Sequence, residues 1–444
     1  MVEQPNFQQQ ELEISSLGDR RVNSPLRRSL ETGGKVGKFV SDDARLLYEP
    51  RFCLGEPINM LSFERAGARE KIFFEPRKTK AAIVTCGGLC PGINNVIRSL
   101  VLELRYNYGV QNVVGIRYGY QGLNPQEGRP PRELNVEDVE DIHNQGGTIL
   151  GSSRGPQDPQ VVVDVLVDKK INLLFCIGGD GTLRGAHGIA AEIARRGLPL
   201  SIVGIPKTID NDIKFCFRTF GFFSAIAEAE KVIDRAHVEA KGALNGIGLV
   251  KLMGREAGFI TATATLASGD ANVALIPEVP FELRGRRGLL PALERRLLAR
   301  EHAVVVVAEG AGQDLLGESA PRCDASGNRQ LADVGLFLKH EIQAYFEAQQ
   351  VPVSVKYIDP SYHIRSVPAN AADSLLCERL ARDAVHAAMA GKTDLLIGLW
   401  HNHLIHVPLA VSTGMKKRLL PDSELWTSVL ALTGQEKWYG ELGK

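Results

Sequence analysis

From Lys80 onward, short apolar runs alternate with segments whose apolar residues recur at helical spacing. Ala81–Thr85 predicts a strand and Cys86–Gly92 a Gly/Pro turn, followed by a helix over Asn94–Leu104 with Val96, Ile97, Leu100, Val101 and Leu104 on one face. The unit is repeated as strand Asn172–Ile177, turn Gly178–Thr182 and helix Leu183–Arg196. Ser201–Ile205 predicts a third strand, which runs into Pro206–Asp212, and Phe222–Ala240 a long amphipathic helix. Later strands are expected at Ile247–Leu252, Ala303–Ala308, Val353–Ile358 and Asp394–Leu399, and a further helix at Ala369–Ala390. Strands alternating with helices predict an α/β architecture whose parallel sheet is covered on both faces. Residues 1–79 are different: polar, turn-rich at Asn23-Ser24-Pro25 and Gly33-Gly34, and without a clear period. They read as an N-terminal extension, ordered in part around Phe39–Tyr48 and Phe63–Phe74.

The 444 residues exceed one ordinary core and suffice for about two or three domains. Lys+Arg and Asp+Glu both number 52, so no global basic field points to nucleic acid. The longest apolar runs, such as Ala303–Ala308, are far too short to span a bilayer. Met1 to Glu11 lacks the basic-then-apolar order of a secretory leader, and seven scattered cysteines fit a reducing compartment better than a disulfide framework. A cytoplasmic enzyme without membrane or nucleic-acid partners is expected.

The sharpest chemical signal is Gly178-Gly179-Asp180-Gly181-Thr182, between a strand and a helix. Glycines let backbone approach a polyphosphate, and a helix N-terminus offers N–H donors to anions. Asp180 supplies one hard oxygen suited to Mg²⁺. No Walker loop occurs: Gly391-Lys392-Thr393 imitates its tail but reads as a helix C-cap. Pro206-Lys207-Thr208-Ile209-Asp210-Asn211-Asp212 offers two carboxylates two residues apart beside a hydroxyl, which suits phosphoryl transfer, although Asx turns and N-caps favour the same residues. Gly87-Gly88-Leu89-Cys90-Pro91-Gly92 resembles a phosphate-cradling loop, its cysteines reading as buried fillers. Arg154, Arg255 and Arg365 each stand beside small or turn-forming residues, and a guanidinium fork suits phosphate. His401-Asn402-His403 with His406 has metal-like spacing, but it lies between two apolar runs and reads as an exposed hairpin tip. The arginines at 284–287 and 295–300 read as a solvated face.

The ordered set GGLCPG, GSSRG, GGDGT, PKTIDND, MGR, AEG and YIDPSYHIR resembles the phosphofructokinase family over Lys80 to Lys417. KTKAAIVTCGGLCPG, KLMGREAGFI, YIDPSYHIRS and Phe63-Glu64-Arg65-Ala66-Gly67 are similar to its plant and trypanosomatid branch. The resemblance implies two similar Rossmann-like domains with mainly parallel sheets and a cleft between them, plus the N-terminal extension. The corresponding boundaries are 1–79 for the extension, 80–221 for a nucleotide-binding domain to which 366–415 returns, 222–365 for a sugar-phosphate domain, and 416–444 for a C-terminal segment. It implies an ATP-dependent 6-phosphofructokinase acting on fructose 6-phosphate with Mg²⁺, assembled as a homodimer or homotetramer. Asp210 would be the base and Thr208 would touch the transferred phosphoryl group, with Arg154 and Arg255 neutralising its charge and Asp180 on Mg²⁺. Gly88, Arg154, Gly155, Gly179, Asp180, Gly181 and Thr182 would hold ATP. Thr208, Ile209, Asp210, Met253, Gly254, Arg255, Glu309, Tyr362, His363, Ile364 and Arg365 would hold the sugar phosphate, Glu309 on hydroxyls and Arg365 on the 6-phosphate.

Two departures concern the sugar site. Tyr362 stands where bacterial relatives have His, and Gly246 replaces an Arg that a neighbouring subunit contributes there, while Lys356 matches the other cross-subunit cation. For the donor, Lys207 is typical of pyrophosphate users, whereas Gly181 leaves the space an α-phosphate and ribose need and where pyrophosphate users carry Asp. A steric and like-charge conflict excludes ATP and an added Lys excludes nothing, so the expectation is ATP. Pyrophosphate dependence and a non-catalytic sugar-phosphate-binding homologue are the alternatives.

Overall fold

A computed structural model describes residues 7–27, 38–317, 331–413 and 415–435. Gly33-Gly34 and the end of the C-terminal segment, 436–444, lie outside the described residues. The chain divides into two compact units, the first drawn from Met1–Thr208, Ile213–Phe220 and Pro368–Lys416, the second from Ile209–Asp212, Gly221–Val367 and Lys417–Lys444.

In the first unit a nine-stranded sheet runs in the order Arg45–Leu47, Ser62–Arg65, His403–Pro408, Leu395–Trp400, Ser201–Pro206, Leu173–Gly178, Lys80–Thr85, Asn112–Ile116, Arg132–Glu133. From Leu395–Trp400 to Asn112–Ile116 the strands are parallel, and antiparallel strands flank them on both sides. Leu173–Gly178 is buried at every position, as expected of a central strand covered on both faces. Helices Ile93–Leu102, Asp180–Arg195 and Ala371–Met389 bury their apolar faces. Gly391, at φ +75°, follows the last of these as its left-handed stop. The helix expected from Leu183 begins at Asp180, because Asp180-Gly181-Thr182 already take helical geometry and form its first turn.

Part of the region read as an extension lengthens this sheet. Ser62–Arg65 pairs with His403–Pro408 and with Arg45–Leu47. Glu64 sits in the middle of it, 3% exposed, and accepts hydrogen bonds from Arg69 Nη2, His406 Nδ1 and Lys392 Nζ, each at 3.0 Å. His401 and Asn402, both at positive φ and exposed, form the tip between Leu395–Trp400 and His403–Pro408.

The second unit is a four-stranded, fully parallel sheet in the order Val273–Leu275, His302–Ala308, Gly246–Leu252, Ser354–Ile358. Helices Phe222–Lys241, Leu289–Arg300 and Val334–Ala348 pack on it. Helix Glu424–Thr433 also belongs here, with Trp426 buried beside Ala262 and Ile276. Both units are therefore Rossmann-like α/β layers, but the first sheet is more than twice as wide.

Candidate active site

In the first unit the carboxyl ends of Leu173–Gly178, Lys80–Thr85 and Asn112–Ile116 line one sheet edge, where ligands of α/β folds bind. Two turns are stitched together there. The N–H of Gly87 (φ +86°) donates to Ser153 O at 3.0 Å, Ser152 Oγ donates to Gly87 O at 2.6 Å, and Thr85 Oγ1 donates to Gly151 O at 2.7 Å. Gly88 is half-buried, Arg154 exposed and Gly155 at φ +103°. Beside them, Gly179 caps the helix whose first residues are Asp180, Gly181 and Thr182, so this turn presents N–H groups that the helix itself does not use. A side chain at Gly178 would collide with Thr182, its Cβ falling 2.2 Å from Oγ1, and Tyr120 Oη donates to Thr182 O at 2.9 Å. A Cβ at Gly181, by contrast, meets nothing nearer than Arg184 Nη2 at 3.9 Å.

Lys207 is 5% exposed and bridges the two glycine turns. Its Nζ donates to Gly88 O at 2.7 Å and its backbone N–H to Gly178 O at 2.9 Å. Thr208 O accepts from Thr219 Oγ1 at 2.7 Å. Cys86 and Cys90 are buried fillers: burial pushes the Cys86 thiol up to about 12, and Cys90 Sγ donates to Phe220 O. Among the described residues no group of three or more His, Cys, Asp or Glu is placed to hold a metal by itself. Asp180 pairs with Arg184 one helical turn on. A single carboxylate at a helix start nonetheless fits Mg²⁺ where phosphate oxygens and water can supply the other ligands.

The second unit carries Asp210 within Ile209–Asp212. Asp210 is half-buried, Asn211 turns the chain at φ +54°, and Lys417 N–H donates to Asp212 O at 2.9 Å. The C-terminal segment thus braces this turn, a role with no local signal in the sequence. Gly254 (φ +138°) and Arg255 (φ +49°) bend sharply after strand Gly246–Leu252. Arg255 N–H donates to Glu309 Oε1 at 3.0 Å, and Glu309 N–H donates to Leu252 O at 2.8 Å. Gly310 has to be glycine, since a Cβ there would fall 1.7 Å from Arg255 O. Met253 is half-buried.

Tyr362 and His363 are exposed, and the Arg365 guanidinium lies 5.0 Å from the centre of the Tyr362 ring. The side chains of Ile209 and Ile364 are buried, so only their backbone is available to a ligand. Lys356 is exposed on edge strand Ser354–Ile358. Gly246 has no room for any side chain, its Cβ falling 2.1 Å from Ala240 O.

Residues 80–388 match the family model for phosphofructokinase. The chain belongs to the phosphofructokinase family. It is 47% identical over 433 residues to the ATP-dependent 6-phosphofructokinase of Borreliella burgdorferi, covering 96% of this chain and 97% of that protein. Plant and trypanosome phosphofructokinases are equally similar. ATP-dependent 6-phosphofructokinase 7 of Arabidopsis thaliana is 49% identical over 381 residues (85% and 78% of the two chains), and the ATP-dependent enzyme of Trypanosoma brucei brucei 47% over 379 (85% and 77%). Among solved structures, the pyrophosphate-dependent phosphofructokinase of Marinobacter aquaeolei superposes with a TM-score of 0.67 at 20% identity, covering 80% of this chain and 91% of that one. Pichia pastoris phosphofructokinase in the T-state gives 0.63 at 24%, covering 82% and 37%. At these identities the phosphofructokinase structures bear on the fold alone.

Proposed function

We propose that this phosphofructokinase transfers the γ-phosphoryl group of ATP to the 1-hydroxyl of fructose 6-phosphate, giving fructose 1,6-bisphosphate and ADP. The observation that carries the donor is the open space at Gly181, on the first turn of helix Asp180–Arg195, where an α-phosphate and ribose can pass. The names of relatives 46–49% identical support the same reading. Lys207 keeps pyrophosphate as the second reading, but its ammonium is engaged with the Gly88 carbonyl.

The first unit is the nucleotide side. Gly88, Arg154, Gly155 and Gly179 to Thr182 hold the phosphates through backbone N–H groups and one guanidinium. Asp180 would hold Mg²⁺, which when bound neutralises charge on the donor phosphates. The second unit is the sugar-phosphate side. Glu309 orients sugar hydroxyls and keeps the Arg255 backbone in its bend; Met253, Gly254 and Tyr362 to Arg365 complete the cradle, with Arg365 on the 6-phosphate. Asp210 accepts the proton of the 1-hydroxyl as its oxygen attacks, Thr208 contacts the phosphoryl group, and Arg154 and Arg255 offset its charge. Such catalysis is positioning and electrostatic stabilisation rather than covalent chemistry. Exposed Lys356 suits a contribution to a neighbouring subunit's site in a homodimer or homotetramer, and a cytoplasmic location goes with the glycolytic role. Among the described residues no helix is long and apolar enough to cross a membrane.

The deciding experiment is a coupled assay with fructose 6-phosphate, Mg²⁺ and either ATP or pyrophosphate. The expected kcat/KM is at least about tenfold higher with ATP, or roughly 1.4 kcal/mol of differential transition-state binding. Faster turnover with pyrophosphate at saturating Mg²⁺ would overturn the donor assignment.

A further inference from the structure

The backbone ladder between Gly246–Leu252 and Ser354–Ile358 ends at Val250↔Ile358. The next residues along are Lys251 and Asp359, and there the connection passes from backbone to side chains. Lys251 Nζ lies 2.9 Å from Asp359 Oδ2 and 3.0 Å from Asp333 Oδ2. Its side chain is only 12% exposed and its ammonium stands 6.0 Å from the centre of the Tyr357 ring. Tyr357 Oη donates to Asp333 Oδ1 at 3.0 Å. Burial disfavours the Lys251 charge, but hydrogen bonds to Asp359 and Asp333 outweigh it and raise its pKa.

The two carboxylates have different second duties. Asp333 caps helix Val334–Ala348, accepting from Leu336 N–H at 3.1 Å. Asp359 turns its other oxygen to Ser361, accepting from its backbone N–H at 3.1 Å and from its hydroxyl. Immediately afterwards Pro360 O accepts from His363 N–H at 2.8 Å and Ile364 N–H at 3.2 Å, which starts the short turn carrying Tyr362 to Arg365. On the other side, Lys251 is two residues before Met253 and four before Arg255. One ammonium therefore joins the stems of both segments read above as the sugar-phosphate cradle.

We infer that Lys251 is a positioning residue for the sugar phosphate, fixing the Tyr362–Arg365 turn against the Met253–Arg255 bend through Asp359. The inference rests on the proposed sugar-phosphate role of those segments. Its consequence is selectivity: loosening the joint costs affinity for fructose 6-phosphate while leaving the nucleotide side of the first unit as it was. A small displacement of an oriented group is enough to cost one or two orders of magnitude.

The test uses Lys251→Met, Lys251→Arg, Asp359→Asn and Asp333→Asn in the full chain. Each asparagine keeps an oxygen acceptor for its backbone N–H, and Asp359→Asn also keeps one for the Ser361 hydroxyl. Lys251→Met is expected to raise the KM for fructose 6-phosphate about tenfold or more, with the KM for ATP and kcat changed by less than about twofold. Lys251→Arg should recover most of the affinity, and Asp359→Asn should raise the sugar KM more than Asp333→Asn does. Calorimetric binding of fructose 6-phosphate, which needs no turnover, should weaken in the same order. A purely structural cation would instead affect both substrates alike, or make the two asparagine variants equivalent. Any of these results overturns the inference. If Lys251→Met does not fold, the Asp359→Asn and Asp333→Asn pair carries the comparison. A wild-type chain that fails to bind fructose 6-phosphate would instead remove the functional reading beneath it.

Discussion

The Lys207 ammonium donates to the Gly88 carbonyl oxygen at 2.7 Å while the Lys207 backbone N–H donates to Gly178 O, so one residue clamps the turns that follow two adjacent strands. A buried cation bound in this way acts first on the shape of the proposed phosphate site. Lys207→Met keeps most of the side-chain volume and removes the clamp. The KM for ATP should rise roughly tenfold, in keeping with about 1.5–3 kcal/mol for a hydrogen bond to a charged group, part of which remains in the folded turn. The ratio of ATP to pyrophosphate activity should still favour ATP. A switch to pyrophosphate, or a gain in pyrophosphate turnover, would show that Lys207 sets donor choice directly.

Gly181→Asp tests the same question from the other side. The Cβ of the new residue meets only Arg184 Nη2 at 3.9 Å, and Gly181 has no left-handed φ, so the variant should fold normally. Its carboxylate would occupy the space assigned to the α-phosphate and add a like charge. We expect kcat/KM for ATP to fall by at least about tenfold with the melting temperature nearly unchanged. Retained ATP activity in a folded variant would show that the α-phosphate does not pass Gly181.

What the sequence revealed, and what it hid, follows the range of the interactions. The turns at Gly87–Gly92 and Gly178–Thr182 were legible because a strand, glycines and a helix start are local. The strand Ser62–Arg65 was not, because Phe63 is its one apolar residue and buried Glu64 finds its partner Lys392 328 residues away. The bracing of Asp212 by Lys417 is a backbone bond and leaves no side-chain signature. The cluster of Lys251, Asp333 and Asp359 was hidden for a related reason. Each residue looks like an ordinary surface charge until the parallel pairing of Gly246–Leu252 with Ser354–Ile358 brings the strand ends together. Gly246 reads in sequence as a replaced Arg; the folded chain shows it, like Gly310, to be required by backbone oxygens closer than a Cβ allows.

Asp210 is the residue whose proposed role, that of base, depends on chemistry rather than packing. Asp210→Asn preserves shape and removes the proton acceptor, so kcat should fall roughly 10²–10⁴-fold with the sugar KM changed far less. Steady-state kinetics at saturating ATP, with calorimetric binding of fructose 6-phosphate as a control, separate the two. Near wild-type kcat would remove Asp210 from the role of base.

The charge cluster around Glu64 predicts a pH-dependent stability. Glu64 is 4% exposed in its side chain, and Lys392 and His406 at 3.0 Å face it at 10% and 1%. Burial alone would raise the Glu64 pKa, but hydrogen bonds from His406 and Lys392 and the Lys392 charge outweigh it and hold the carboxyl well below its ordinary 4.5. A carboxylate depressed in the folded state stabilises fully above 4.5, and that contribution is lost progressively as the pH falls from there toward the depressed folded value. Burial holds His406 below its ordinary 6.5, so it folds neutral, and unfolding is favoured as acidification charges the unfolded imidazole. Glu64→Gln leaves Lys392 buried without its anion, which should cost about 3–5 kcal/mol at neutral pH. The stability difference between wild type and Glu64→Gln, from denaturant melts at pH 7, 5 and 3.5, should therefore stay constant from 7 to 5 and narrow by about 1 kcal/mol between 5 and 3.5. His406 should lower the stability of both proteins below pH 6.5, and of Glu64→Gln at least as much as wild type because loss of the Glu64 charge depresses the imidazole further, so a narrowing gap comes from Glu64. A difference that persists unchanged at pH 3.5 would mean that Glu64 packs the sheet edge without stabilising it by its charge.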